Sequence, residues 1–177
     1  KNLTHMNEQG KPVISYKIIL CGNHQSGKTL FIRRLTDTIL NFDSEIPETQ
    51  ATIATNLICH KIEMNGTVYK LQLWDTAGQE AYHSITASYF RSCQGVFLVF
   101  DITDEKSFKD LDYWINMIKE HSNTTSSNAD STPLIVVIAN KIDCPKEKHQ
   151  VDIETISNAC RERDLDYFIT SALTGEN

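Results

Sequence analysis

Nothing in the 177-residue sequence approaches the roughly 18 consecutive apolar residues that a membrane-spanning helix needs. The first ten residues are polar and lack the apolar core of a secretory signal. Basic residues are in deficit, 17 Lys and Arg against 23 Asp and Glu. The resulting charge of −6 argues against a nucleic-acid partner and against a polybasic membrane patch. The five cysteines (Cys21, Cys59, Cys93, Cys144 and Cys160) fit neither a zinc spacing nor a C-x-x-C pair. They read as reduced thiols of a cytosolic protein, in which a buried Cys acts as a small hydrophobe. Internal repeats are absent.

What is present suits one domain. A chain of this length buries roughly 70% of its unfolded surface and needs no disulfide or metal staple. Residues 1–12 read as a flexible leader and 13–177 as the folded domain. The polar stretch 121–132 (HSNTTSSNADST) cannot build a core and reads as a surface loop insertion. The chain opens on Lys1, so a fragment or a processed product is expected.

Between the polar stretches, strand-like and helix-like patterns alternate. Residues 16–21 (YKIILC) form a short buried strand ahead of a Gly-rich turn and a helical pattern over 27–40. Runs at 53–64 and 68–75 meet at Asn65-Gly66, the strongest short-range hairpin signal. GVFLVFD (95–101) and LIVVIAN (134–140) are continuous apolar runs, as expected of parallel strands covered on both faces. Phe108, Leu111, Ile115 and Ile118 recur at helical spacing, and Ile153, Ile156 and Cys160 do so after a cap at Asp152. Residues 166–171 supply a last strand. The sum is an α/β fold, a six-stranded, mostly parallel sheet with helices on both faces. One covering helix is missing from the count, and a final C-terminal helix is expected to follow.

Gly22-Asn23-His24-Gln25-Ser26-Gly27-Lys28-Thr29 fits G-x-x-x-x-G-K-[ST] between a strand and a helix. Loop N–H groups and the positive helix start, with Leu30 in the first turn, converge on phosphates. Gly22 and Gly27 allow the tight loop. Lys28 brings a cation to the β and γ phosphates, and Thr29 offers a hydroxyl to Mg²⁺, a hard ion that prefers oxygen. Asp75-Thr76-Ala77-Gly78-Gln79-Glu80 follows a strand end. Asp75 there suits the metal, the Gly78 N–H a γ-phosphate oxygen, and Gln79 the attacking water.

Asn140-Lys141-Ile142-Asp143 ends the apolar strand 134–140. A buried carboxylate accepts only, so Asp143 pairs with the N1–H and 2-amino donors of guanine and is left unpaired by adenine. Such a site rejects the wrong base by about 10⁴-fold or more. Asn140 suits the acceptor edge of the base and a brace to the phosphate loop, and the Lys141 stem covers one ring face. Ser171-Ala172-Leu173 supplies backbone N–H groups, notably that of Ala172, to the guanine carbonyl.

On these residues the chain resembles the Ras superfamily, and within it the Rab family, over residues 16–177. The similarity continues through Lys70-Leu71-Gln72-Leu73-Trp74, Ser84-Ile85-Thr86, Ser88-Tyr89-Phe90-Arg91, Leu98-Val99-Phe100-Asp101-Ile102-Thr103 and Thr170-Ser171-Ala172. The resemblance implies a monomeric P-loop switch that binds GDP or GTP with Mg²⁺, hydrolyses GTP and acts in vesicle traffic. It implies effectors, nucleotide-exchange proteins and GTPase-activating proteins as partners. It also implies peripheral membrane association of an otherwise cytoplasmic protein, through a lipidated C-terminal tail that these residues do not contain. Thr52 matches the Thr that binds metal and γ-phosphate from the first switch loop.

The departures from the family are specific. The segment 40–51 is several residues longer than usual. The first switch reads Ile53-Ala54-Thr55-Asn56-Leu57, without the Gly, acidic and Phe positions of Rabs. Phe42 is the nearest aromatic for the guanine face, and Leu173 replaces a Lys. His24 stands where relatives have Gly or Ser, close to the γ-phosphate, so atypical hydrolysis is expected. Two rivals remain: a GTP-binding scaffold with little or no hydrolysis, and a small-metabolite kinase, which the Trp74–Glu80 and Asn140–Asp143 runs oppose.

Overall fold

Continuous apolar runs dictate the centre of the molecule, and the computed structural model places them side by side. It describes residues 5–36, 56–76, 89–122 and 132–177. The strands are β1 (His5–Met6), β2 (Pro12–Cys21), β3 (Asn56–Met64), β4 (Thr67–Asp75), β5 (Gly95–Asp101), β6 (Leu134–Asn140) and β7 (Asp166–Ile169). They form one sheet in the order β3-β4-β2-β5-β6-β7, with β1 paired antiparallel to the start of β2. Only the β3–β4 hairpin is otherwise antiparallel, and its turn residues Asn65 and Gly66 take φ of 51° and 74°. The leader expected over 1–12 thus contributes a short strand and a turn in which Gly10 N–H donates to the Asn7 carbonyl at 2.9 Å.

The described helices are α1 (Lys28–Thr36), α2 (Glu105–Lys109), α3 (Leu111–Ser122) and α4 (Ile153–Glu162). Strand alternation sends Ile19 and Cys21 into a large core with α3 and α4, and Leu20 into a smaller one with Ile32 of α1. The large core joins Val96, Leu98 and Phe100 to Trp114, Ile115 and Ile118 of α3 and to Ile156 and Cys160 of α4. On the α1 face, Phe31 meets Phe97 edge to face at 5.6 Å, while Phe168 of β7 stays 56% exposed.

Two helical readings need correction. The continuous pattern Phe108–Ile118 is two helices, because Asp110 ends one and begins the next. Its N–H bonds the Lys106 carbonyl at 3.0 Å and its own carbonyl accepts from Trp114 N–H at 3.1 Å. Ile153 keeps the spacing of Ile156 and Cys160 but is 54% exposed rather than buried. It is the first residue after the cap, and Asp152 accepts from Thr155 N–H at 2.7 Å as expected. Among the described residues no helix is long and apolar enough to cross a membrane.

Candidate functional site

Parallel strands bring their carboxyl ends to one edge, and β2, β4, β5 and β6 all carry polar motif residues there. β2 ends in the phosphate-loop sequence and α1 begins at its Lys28. Backbone geometry explains the two glycines. Gly22 has φ 132°, and a Cβ there would lie 1.9 Å from the Val99 carbonyl oxygen. Gly27 has φ 92°, and a Cβ would lie 2.3 Å from Asn140 Nδ2. A side chain would collide with the β5 backbone at Gly22 and with the Asn140 amide at Gly27.

Lys28 is buried, and its Nζ donates to the carbonyls of Gly22 at 2.8 Å and Asn23 at 2.6 Å. The cation therefore lies inside the loop's arc rather than on the surface. Ser26 is buried too, and among the described residues its hydroxyl has no partner. His24 and Gln25 form the exposed crest, Gln25 with φ 62°. Leu30 is half-buried in the first turn of α1.

The two metal-ligand candidates within the described residues meet: Thr29 Oγ1 donates to Asp75 Oδ2 at 2.8 Å. Asp75 is 1% exposed, and among the described residues its Oδ1 has no hydrogen-bond partner. Burial raises its pKa, opposed by the Thr29 bond and the Lys28 charge. A buried carboxylate oxygen left unpaired beside a hydroxyl is the donor chemistry a hard divalent cation takes, and such ions need few protein ligands when phosphates supply the rest. The residues fit Mg²⁺. Thr76 Oγ1 donates to the Leu20 carbonyl at 2.6 Å and ties the β4 end back to β2.

Asn140 links two of the three loops. Its Nδ2 donates to the Ser26 carbonyl at 2.9 Å, which is the brace expected from the sequence. Its Oδ1 accepts from Ala172 N–H at 3.0 Å and from Thr170 Oγ1 at 3.5 Å. The Ala172 amide, expected to meet a base carbonyl, is thus turned to Asn140. Asp143 lies in the loop beyond β6 and is exposed, not buried, with Oδ1 accepting from Ser171 Oγ at 2.6 Å. Lys141 has φ 74°, and its Nζ pairs with Asp101 Oδ2 at 2.6 Å, so the stem is tethered along the site. Leu173 is half-buried. Thr52, Gly78 and Gln79, with Phe42 and residues 123–131 of the polar loop, lie outside the described residues.

Two further groups, Asp101 and Arg34, shape the site without having been read from the sequence as site residues, and Asn23, read as part of the phosphate loop, has side-chain partners that were not. Asp101 anchors Lys141; its only local sign is an acid closing an apolar strand. Arg34 of α1 donates from Nε to the Ala172 carbonyl at 3.2 Å and from Nη2 to the Leu173 carbonyl. Asn23 turns its side chain out of the loop, toward Asp110 and Trp114. The last two contacts cross more than a hundred and more than eighty residues of chain respectively, and no spacing in the sequence announces them.

A model of the Ras family matches residues 17–177. The chain is 36% identical over 162 residues to the Ras-related protein Rab-30 of Homo sapiens, covering 92% of this chain and 73% of that protein. It is 36% identical over 162 residues to a probable Rab-related GTPase of Acanthamoeba polyphaga mimivirus, covering 91% and 70%. It is 33% identical over 164 residues to the Ras-related protein YPTC6 of Chlamydomonas reinhardtii, covering 92% and 69%.

Proposed function

The chain belongs to the Ras family and resembles its Rab members, and from that premise we propose that it is a monomeric switch that binds GDP and GTP with Mg²⁺ and hydrolyses GTP. The observation that carries this reading is Asn140. One buried amide bonds both the phosphate-loop carbonyl of Ser26 and the amide of Ala172, so the phosphate end and the base end of a ligand are held in register.

Each residue then has a defined task. Loop N–H groups and the Lys28 ammonium bind the β and γ phosphates and spread the charge that develops on the bridging oxygen. Asp143 accepts from the two guanine donors, and the bound base covers a carboxylate that is otherwise solvated. The Lys141 stem, tethered at Asp101, lies over one ring face. Thr29 and Asp75, with Thr52, would hold Mg²⁺, which supplies neutralisation of phosphate charge. Gln79 orients the water, and the Gly78 amide senses the γ-phosphate. Loss of that phosphate releases the two switch segments, and effectors, exchange proteins and activating proteins read the difference in vesicle traffic at membrane surfaces.

The test is direct. Protein purified with Mg²⁺ and then denatured should release GDP or GTP, and excess GDP but not ATP should displace a bound fluorescent GDP analogue. Displacement by ATP as well as by GDP would overturn the guanine assignment. One observation favours the scaffold alternative: His24 is exposed at the loop crest, where an imidazole can obstruct an incoming arginine or disturb the attacking water. Single-turnover hydrolysis of loaded GTP separates the two readings.

A further inference from the structure

The inference rests on the nucleotide-binding reading above and concerns what gives the phosphate loop its shape. Asn23, the second residue of that loop, is 8% exposed. Its Nδ2 donates to Asp110 Oδ2 at 2.7 Å, and its Oδ1 accepts from Trp114 Nε1 at 2.8 Å. The orientation is chemically forced. An indole N–H only donates and a carboxylate only accepts, so the amide has a single satisfied placement.

The two outside partners are themselves fixed to one another. Asp110 is the junction of α2 and α3, its N–H closing the first helix and its carbonyl receiving Trp114 N–H to open the second. Trp114 is 7% exposed in the large core. At its other end Asn23 is held as well, because its carbonyl accepts from Lys28 Nζ at 2.6 Å. A line of bonds therefore runs from a helix junction, through one buried amide and one peptide carbonyl, to the ammonium that faces the phosphates.

We propose that Asp110 and Trp114 are positioning residues, which set the Asn23 peptide and through it the phosphate loop and Lys28. Neither touches the ligand. A buried Asn needs partners in any fold, but here one partner is a carboxylate, and a charge-assisted bond is about twice as strong as a neutral one. The break in the helical pattern at Asp110 puts that carboxylate within reach.

The experiment uses the whole chain loaded with a fluorescent GDP analogue in Mg²⁺, with release followed after addition of excess GDP. Asn23→Asp sets two carboxylates against each other. Release should quicken about ten-fold or more, as expected when a hydrogen bond to a charged group is lost. Asn23→Asp combined with Asp110→Asn restores one donor facing one acceptor, with the indole still facing an oxygen. It should return release to within about three-fold of wild type, because the bond is remade. The ³¹P resonance of the GDP β-phosphate should move in the single variant and return in the double one.

Trp114→Phe removes only the indole donor, and it carries the test if Asn23→Asp does not fold. It should also speed release and move the ³¹P signal. Melting temperatures that fall while release rates and ³¹P shifts stay at wild-type values would overturn the positioning role. So would a double variant no better than Asn23→Asp. Wild-type protein that takes up no GDP at all would overturn the nucleotide reading and this inference with it.

Discussion

Replacing Asn140 by Ala tests the link between the two ends of the site. The side chain is 2% exposed, and its loss strands two buried groups: the Ser26 carbonyl, bonded at 2.9 Å, and the Ala172 N–H, bonded at 3.0 Å. Leaving a buried donor or acceptor unmade costs about 1–3 kcal/mol each. The two share one side chain and do not add fully, so about 3 kcal/mol is expected for the nucleotide-free protein. For a domain of this size that corresponds to a fall of about 6–12 °C in melting temperature. Asn140→Asp keeps an acceptor for Ala172 but faces a carboxylate to the Ser26 carbonyl, so it should lose as much stability or more at neutral pH. The assay is thermal unfolding in EDTA, repeated with GDP and Mg²⁺ present. Stabilisation by a ligand follows its affinity, so the gap between wild type and Asn140→Ala should widen when GDP is added. An Ala variant within about 0.5 kcal/mol of wild type, the range of ordinary surface substitutions, would refute the argument.

Asp112 of α3 receives both Nε and Nη2 of Arg163 at 2.7 Å, and its pKa is held below the ordinary carboxylate value chiefly by that bond. A lowered acid pKa stabilises the fold above the unfolded value and stops doing so as pH falls through the folded one. Asp112→Asn should therefore cost about 0.2–1 kcal/mol at pH 7 and nothing measurable near pH 2, read by denaturant unfolding at each pH. Among thiols, burial raises the pKa of Cys93 to about 11 and pushes Cys21 and Cys160 upward, whereas Cys59 is exposed on β3. Mass-mapped alkylation of native protein should mark Cys59 well before those three; equal labelling would contradict the core described here. His24→Gly should raise GTP turnover stimulated by an activating protein by about ten-fold or more, given that an arginine finger supplies 10³–10⁵, and identical rates would remove any role for the imidazole.

The sheet, the hairpin and the backbone of the phosphate loop were readable because their chemistry is local. A phosphate loop needs Gly22, Gly27, Lys28 and Thr29 at fixed offsets, and a hairpin needs positive φ at Asn65 and Gly66. What escaped was side-chain traffic between distant segments. Arg34 reaching the Ala172 carbonyl, and Trp114 reaching Asn23, leave no periodic trace. Periodicity also hid the stop at Asp110, since Phe108, Leu111, Ile115 and Ile118 keep helical spacing across it. Ile153 failed for a positional reason: it shares the spacing of Ile156 and Cys160, but as the first residue of the helix it stays exposed. The expectation of a buried Asp143 fails because the chain leaves the sheet at Asn140 and the carboxylate reaches solvent.

β2 has neighbours on both edges where it matters. Ile18, Ile19 and Leu20 pair with β4 on one side and β5 on the other, immediately before the loop that begins at Gly22. The footing of the loop is thus hydrogen-bonded to a neighbouring strand on each side. Amides in these three residues should exchange with solvent only on global unfolding, whether a ligand is present or not. Arrival and departure of a nucleotide then leave the anchorage unchanged, and the entropy of ordering it is surrendered once, when the chain folds, rather than in every cycle.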